Sequence, residues 1–200
     1  MIKKKIAEIV AISLASATLV GALCYYNFVD KPLISGVAVG DICPDFTVNT
    51  YKVENGDFTL GGDYFTLSAH RGEVVVINFW ATYCGPCKAE LPEFDKFQKT
   101  YAEDVTVITL DGEISYTQKR LCEWLNTNQE SEGWEDFSIT YGWYNANANN
   151  VYNLLGFTSG ALPATVIINR KGEIAFSKEG SMHYEDLKNV IVPLIEENNE

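Results

Sequence analysis

Two cysteines two residues apart, Cys84 and Cys87, lie in the heptapeptide 81–87, ATYCGPC. They follow a nearly continuous apolar, β-branched run at 73–80 (EVVVINFW) and precede a stretch, 86–101, with Leu91, Phe94 and Phe97 at helical spacing. The pattern predicts a strand-to-helix junction with Cys84 at the helix N-terminus. There, unpaired N–H groups and the helix dipole favour a thiolate. Cys87 falls one turn further in, close enough to pair and more buried. Pro86 lacks the N–H that the first turn would leave unsatisfied. Such a pair can attack a disulfide through Cys84 and release the product when Cys87 closes the ring. A purely structural disulfide would constrain little chain, because the loop is so short. A zinc site would need two further ligands, and Cys43, Cys122, His70 and His183 show no paired spacing.

The surrounding elements alternate. Short strands are expected at 46–48 and 64–67, with the turn-rich stretch 54–63 between them. Further strands are expected at 73–80, 105–110, 138–141, 164–169 and 173–177, and helices at 86–101, 115–128, 149–155 and 183–197. Pro92 predicts a kink in the first helix. This order predicts an α/β fold with a central mixed β-sheet flanked by helices on both faces and a single core. The aromatic-rich segment 130–143, with Trp134, Phe137, Tyr141 and Trp143, reads as core packing. Segment 145–150, NANANN, reads as a polar loop or helix start.

Composition narrows the function classes. The chain has 200 residues, 46% hydrophobic and 21% charged, which argues against disorder and against a multi-span membrane protein. A net charge of -12 argues against general nucleic-acid binding, since phosphate is repelled. Residues 1–30 hold Lys3, Lys4 and Lys5 against Glu8 and Asp30, so they carry +1 and the remainder carries -13. After the lysines, residues 6–29 are apolar except for Glu8 and would make roughly 36 Å of helix, enough to cross a bilayer. Tyr25, Tyr26 and Phe28 fit an interfacial belt, and the lysines favour a cytoplasmic N-terminus. The favoured reading is an uncleaved signal anchor over 1–30, a tether over 31–40 and a folded domain over 41–200 outside the cytoplasm. Cleavage after small residues such as Ala15, Ala17 or Ala22, and lipid attachment at Cys24, are the alternatives.

The peptide FWATYCGPCKAELP resembles the active site of thioredoxin-like proteins, and in particular the TlpA/ResA branch of membrane-tethered thiol-disulfide oxidoreductases. Gly40 to Phe46 (GDICPDF) is similar to that branch's G-x-x-A-P-x-F opening. Phe65 to Ser68 with Arg71-Gly72, and Gly160 to Thr165 with Asn169 to Ile174, resemble its segment before the first core strand and its cis-proline loop with the final hairpin. The resemblance implies a thioredoxin-like fold with an N-terminal β extension. It implies Cys84 as nucleophile, Cys87 as resolving thiol and Pro163 as a cis-proline facing them. Leu162 would then offer its backbone to an extended substrate, and Trp80, Tyr83, Gly85 and Pro86 would flank it. Glu90, three residues after Cys87, matches the branch's acid near the dithiol. Ordinary thioredoxins carry a buried Asp where this chain has Asn78, which does not titrate. The other reading of Glu90 is a solvated helix carboxylate.

The resemblance further implies a reductase acting on oxidised exported proteins, apocytochrome c among them. A membrane thiol donor of the CcdA/DsbD type would supply electrons, and no metal or organic cofactor is implied. Tyr83 stands where Trp is usual, and Cys43 replaces the usual Ala before Pro44. Cys43 and Cys122 read as buried thiols, with a second disulfide between them left open. Two other functions compete. A thiol peroxidase of related fold would want Thr-x-x-Cys with an arginine close by, whereas Thr82 is two residues from Cys84. A copper carrier would want C-x-x-x-C and a distant His, such as His183.

Overall fold

The computed structural model describes residues 37–197, apart from Asp63, Gly112, Ile114, Ser115, Glu135, residues 144–148 and the side chains of Asn149 and Asn150. The anchor expected over residues 1–30 and most of the tether lie outside the described residues. Among the described residues, no helix is long and apolar enough to cross a membrane.

The described residues form nine strands: β1 (Thr47–Thr50), β2 (Lys52–Glu54), β3 (Asp57–Thr59), β4 (Tyr64–Thr66), β5 (Val74–Trp80), β6 (Val105–Asp111), β7 (Thr140–Trp143), β8 (Ala164–Ile168) and β9 (Ile174–Glu179). The helices are α1 (Gly85–Thr100), α2 (Gln118–Glu132), α3 (Asn149–Leu154) and α4 (Tyr184–Glu196), with a single 3-10 turn at Leu67–His70. Seven strands form one mixed sheet in the order β4-β1-β7-β6-β5-β8-β9. Strands β5, β6 and β7 run parallel, and β8 runs antiparallel to β5. Every residue of β5 is buried, as its unbroken apolar run requires of a strand covered on both faces.

The two faces of β5 feed two separate cores. Val74, Val76 and Trp80 join Leu91, Phe94 and Phe97 of α1, Leu121 and Leu125 of α2, and Leu187 and Ile191 of α4. Val75, Ile77 and Phe79 join Val151, Tyr152, Leu155 and Phe157 around α3, together with Phe46, Val48 and Phe65 from the N-terminal strands. The expected helical cover on both faces is present, but unevenly, with three helices on one side and α3 with the N-terminal segment on the other.

Local chemistry sets the ends of the elements. Thr117 caps α2 by accepting from Arg120 N, and Gly133 closes it in the left-handed region at φ 73°. This helix therefore starts three residues later and stops four residues later than its apolar spacing suggests. Helix α1 runs unbroken through Pro92 to Thr100. Asn55 and Gly56, at φ 55° and 87°, make the tight turn of the β2–β3 hairpin. The stretch expected only to be turn-rich thus forms a hairpin. The hairpin leans on α2. Phe58 N donates to Asn126 Oδ1 at 2.6 Å, Asn126 Nδ2 donates to Phe58 O at 2.8 Å, and Gln129 Nε2 donates to Gly56 O at 2.8 Å.

The second disulfide left open between Cys43 and Cys122 is absent. Both are free and buried, and they belong to the two different cores on opposite faces of the sheet.

Candidate active site

Cys84 is the N-cap of α1, with extended backbone angles of φ -85° and ψ 98°. Its Sγ accepts a hydrogen bond from Cys87 N at 3.2 Å. The two cysteines are joined by a disulfide, with Cα atoms 5.3 Å apart. The Cys84 sulfur thus faces an N–H group at the positive end of a 16-residue helix, a place that favours a thiolate once the disulfide is reduced. Cys84 is 7% exposed and Cys87 is fully buried, so of the two only the first residue reaches the surface. Tyr83 is 72% exposed and stands beside it, with Gly85 and Pro86 also at the surface. Trp80 is placed differently from a substrate contact. It is fully buried and packs on Trp124, Trp134 and Tyr141 at ring separations of 5.7 to 6.3 Å. Its part is to floor the site.

Pro163 follows a cis Leu162-Pro163 peptide bond. The β5–β8 register pairs Phe79 with Ala164, so one step further sets Pro163 beside Trp80, at the end of the sheet that leads into the dithiol. Leu162 packs partly buried against both cores.

Glu90 lies on α1 one turn beyond Cys87 and is buried rather than solvated. Its Oε1 accepts from Asn78 Nδ2 at 2.8 Å and its Oε2 accepts from Met182 N at 2.8 Å. Burial pushes the carboxyl up to about 7, against the opposing pull of these two donors and of Lys178. Asn78 is fully used. It donates also to Thr165 Oγ1 at 3.2 Å and accepts from Thr109 Oγ1 at 3.3 Å. One amide thereby fixes Glu90 against three adjacent strands, β6, β5 and β8.

A second carboxylate, Asp111, was not singled out in the sequence. It ends β6 opposite Trp80 and is buried. Its Oδ1 accepts from Glu113 N at 3.1 Å, and its Oδ2 has no partner among the described residues. Burial raises its carboxyl to about 7 as well. The strand expected from the apolar run ends at 110, whereas β6 extends one residue further and buries Asp111. Thr82, two residues before Cys84, donates its hydroxyl to Glu113 Oε2 at 2.6 Å and ties this corner to the dithiol loop.

The other thiols are chemically muted. Burial pushes Cys43 up to about 12 and raises Cys122, whose Sγ points at Phe58 O at 3.2 Å. His183, considered only as a distant copper ligand, caps α4 instead. Among the described residues no group of three or more His, Cys, Asp or Glu is arranged to hold a metal ion.

A thioredoxin-like sheet with a dithiol at the N-terminus of the helix after its central strand defines a thiol-disulfide oxidoreductase. The AhpC/TSA family model matches residues 39–177, and the chain belongs to that family. Among curated relatives, the thioredoxin-like protein YneN of Bacillus subtilis is 29% identical over 189 residues, covering 94% of this chain and 96% of its own. The thiol-disulfide oxidoreductase ResA of Geobacillus kaustophilus is 28% identical over 180 residues, covering 89% of each chain. Among solved structures, a Chlorobium tepidum protein assigned as the thiol:disulfide interchange protein DsbE superposes with a TM-score of 0.62 at 21% identity, over 80% of this chain and 99% of that one. StoA from Bacillus subtilis superposes with a TM-score of 0.55 at 21% identity, over 75% and 98%. These likenesses show a ResA-like chain on a thioredoxin-like fold.

Proposed function

We propose that this chain is a membrane-anchored reductase of disulfides in exported proteins, working outside the cytoplasm through Cys84 and Cys87. The observation that carries the reading is the cap itself: a cysteine at the edge of the surface and at a helix N-terminus, its sulfur held by the N–H of the cysteine that would resolve the mixed disulfide. The Cys84 thiolate attacks a substrate disulfide, forming a mixed disulfide and releasing one substrate thiolate. Cys87 then loses its proton and attacks Cys84 Sγ. The ring disulfide forms, and the second substrate sulfur leaves as a thiolate. Two electrons pass to the substrate, and a membrane thiol donor of the CcdA/DsbD type restores the dithiol. Glu90 accepts and returns the Cys87 proton, a task suited to a carboxyl poised near 7 on the same helix face. Leu162 and Pro163 receive the substrate backbone, and Tyr83, Gly85 and Pro86 form the rim.

Residues 1–30 serve as the signal anchor and 31–40 as the tether, supported by the lysine-flanked apolar run. The substrate class includes apocytochrome c, whose haem attachment needs reduced thiols. This part of the reading rests on the likeness to the ResA branch. Peroxidase chemistry gains nothing from the site, because the single Thr82 proton goes to Glu113 and Cys84 pairs with Cys87.

The test is to express the full chain with Cys87→Ser and recover the proteins held on Cys84 as mixed disulfides. Haem-binding C-x-x-C-H proteins support cytochrome maturation, whereas a broad set of exported proteins supports general repair. Capture of cytoplasmic proteins alone contradicts the extracytoplasmic reading. A membrane-impermeant thiol reagent applied to intact cells labels Cys84 if the topology is right.

A further inference from the structure

The loop at 159–163 is held by a directed set of hydrogen bonds from outside the dithiol. Tyr152 of α3 donates its hydroxyl to Ala161 O at 2.9 Å. Ala161 N donates to Ser159 Oγ at 2.9 Å. Ser159 directs its single proton to Glu179 Oε1 at 2.5 Å, and Glu179 is the cross-strand partner of Ala164. Gly180 N donates to Pro163 O at 2.8 Å. A hydroxyl has one proton, so these directions leave little freedom. Tyr152 donates inward, Ser159 donates to Glu179, and the lone pairs of Ser159 are what Ala161 N finds. Both backbone groups of Ala161 and the carbonyl of Pro163 are thereby engaged. Among the described residues, the N–H and C=O of Leu162 between them take no backbone or side-chain partner.

This pattern has a functional direction. An edge peptide with unpaired backbone groups, rigidly presented, can pair with an extended chain. Rigid presentation lowers the ordering cost on binding, and it matters only for a substrate that has a backbone to pair. Tyr152 itself is anchored by edge-on packing with Phe79 at 5.2 Å and by contact with Phe157 at 5.0 Å. Its hydroxyl therefore has a fixed origin in the core next to β5.

We infer that Tyr152, Ser159 and Glu179 are positioning residues that hold the Leu162 peptide edge for peptide substrates, setting substrate affinity without altering the chemistry of the dithiol. The inference rests on the functional reading above. The three residues carry no signal in the sequence, since they come from three separate elements and none is near the C-x-x-C pair along the chain.

The test compares two oxidants on the full chain in detergent, a disulfide-closed nonapeptide and 5,5′-dithiobis(2-nitrobenzoic acid), which has no peptide backbone. Tyr152→Phe keeps the ring and removes only the hydroxyl, and Ser159→Ala removes the acceptor for Ala161 N. Each is expected to raise KM for the peptide about 3- to 10-fold, the scale of one lost hydrogen bond, with kcat within about twofold. Rates with the small disulfide stay unchanged, and Ser159→Thr restores the peptide KM by restoring the hydroxyl. An unchanged peptide KM in both variants overturns the inference while leaving the reductase reading intact. Equal losses with both oxidants overturn it too, because they mean a merely structural staple. A wild-type chain inert towards the peptide removes the reductase reading and this inference together.

Discussion

At the scale of single residues, burial decides which groups can do chemistry. Four cysteines occupy the described residues, and burial mutes two of them: Cys43 is pushed up to about 12 and Cys122 is raised. Cys84 sits at a helix N-terminus instead, where a thiolate is favoured. Glu90 and Asp111 are buried carboxyls raised to about 7 from 4.5 and 3.8. A raised folded-state value means the native protein holds the proton more tightly than the unfolded chain does. The stability each group contributes is complete below its unfolded value and is lost as pH rises through about 7. Asp111→Asn is expected to leave stability near its wild-type level at pH 4 and to raise it by about 1–3 kcal/mol at pH 8, because an unpartnered buried charge is avoided. Urea denaturation at the two pH values measures this, and a variant less stable than wild type at pH 8 would refute the assignment. Glu90→Gln removes a titrating group one turn from Cys87. The pH profile of dithiol oxidation should lose its inflection near 7 while circular dichroism stays native. An unchanged profile removes Glu90 from the proton path.

At the scale of elements, legibility followed how local the cause was. Strand β5 was plain because seven consecutive buried residues leave an unbroken apolar run. The cap at Cys84 was plain because proline, glycine and the cysteine pair set it within four residues. The β2–β3 hairpin was missed although Asn55-Gly56 is a strong turn signal, because its strands are only three residues long and mostly exposed. They are held by Asn126 and Gln129 of α2, about seventy residues away along the chain. The burial of Asp111 and the triple role of Asn78 were equally hidden, since both depend on strand register. Phe58 tests the hairpin's contribution. It is buried, stands edge-on to Tyr141 at 5.1 Å, and joins the core that contains both active-site cysteines. Phe58→Ala should cost about 3–5 kcal/mol in chemical denaturation. A cost under about 1 kcal/mol would show the hairpin to be a passive appendage.

At the scale of the whole molecule, one end of the sheet gathers the chemistry. Trp80 and Asp111 end adjacent strands there, Pro163 immediately precedes β8 on the other side, and α1 follows the loop after β5. Glu90 joins α1, β5 and the segment before α4 through two hydrogen bonds, so the proposed proton acceptor is tied to the helix that carries the cysteine pair. The proposed reaction requires the helix cap to make Cys84 an acidic nucleophile at the surface. The most direct measurement is alkylation of the fully reduced chain by iodoacetamide across pH 5 to 9, with each cysteine quantified by mass spectrometry. Cys84 is expected to react with a midpoint well below the free-cysteine value of about 8.5, while Cys43 and Cys122 stay unmodified. A Cys84 midpoint at or above that value, or faster modification of either buried thiol, would contradict it.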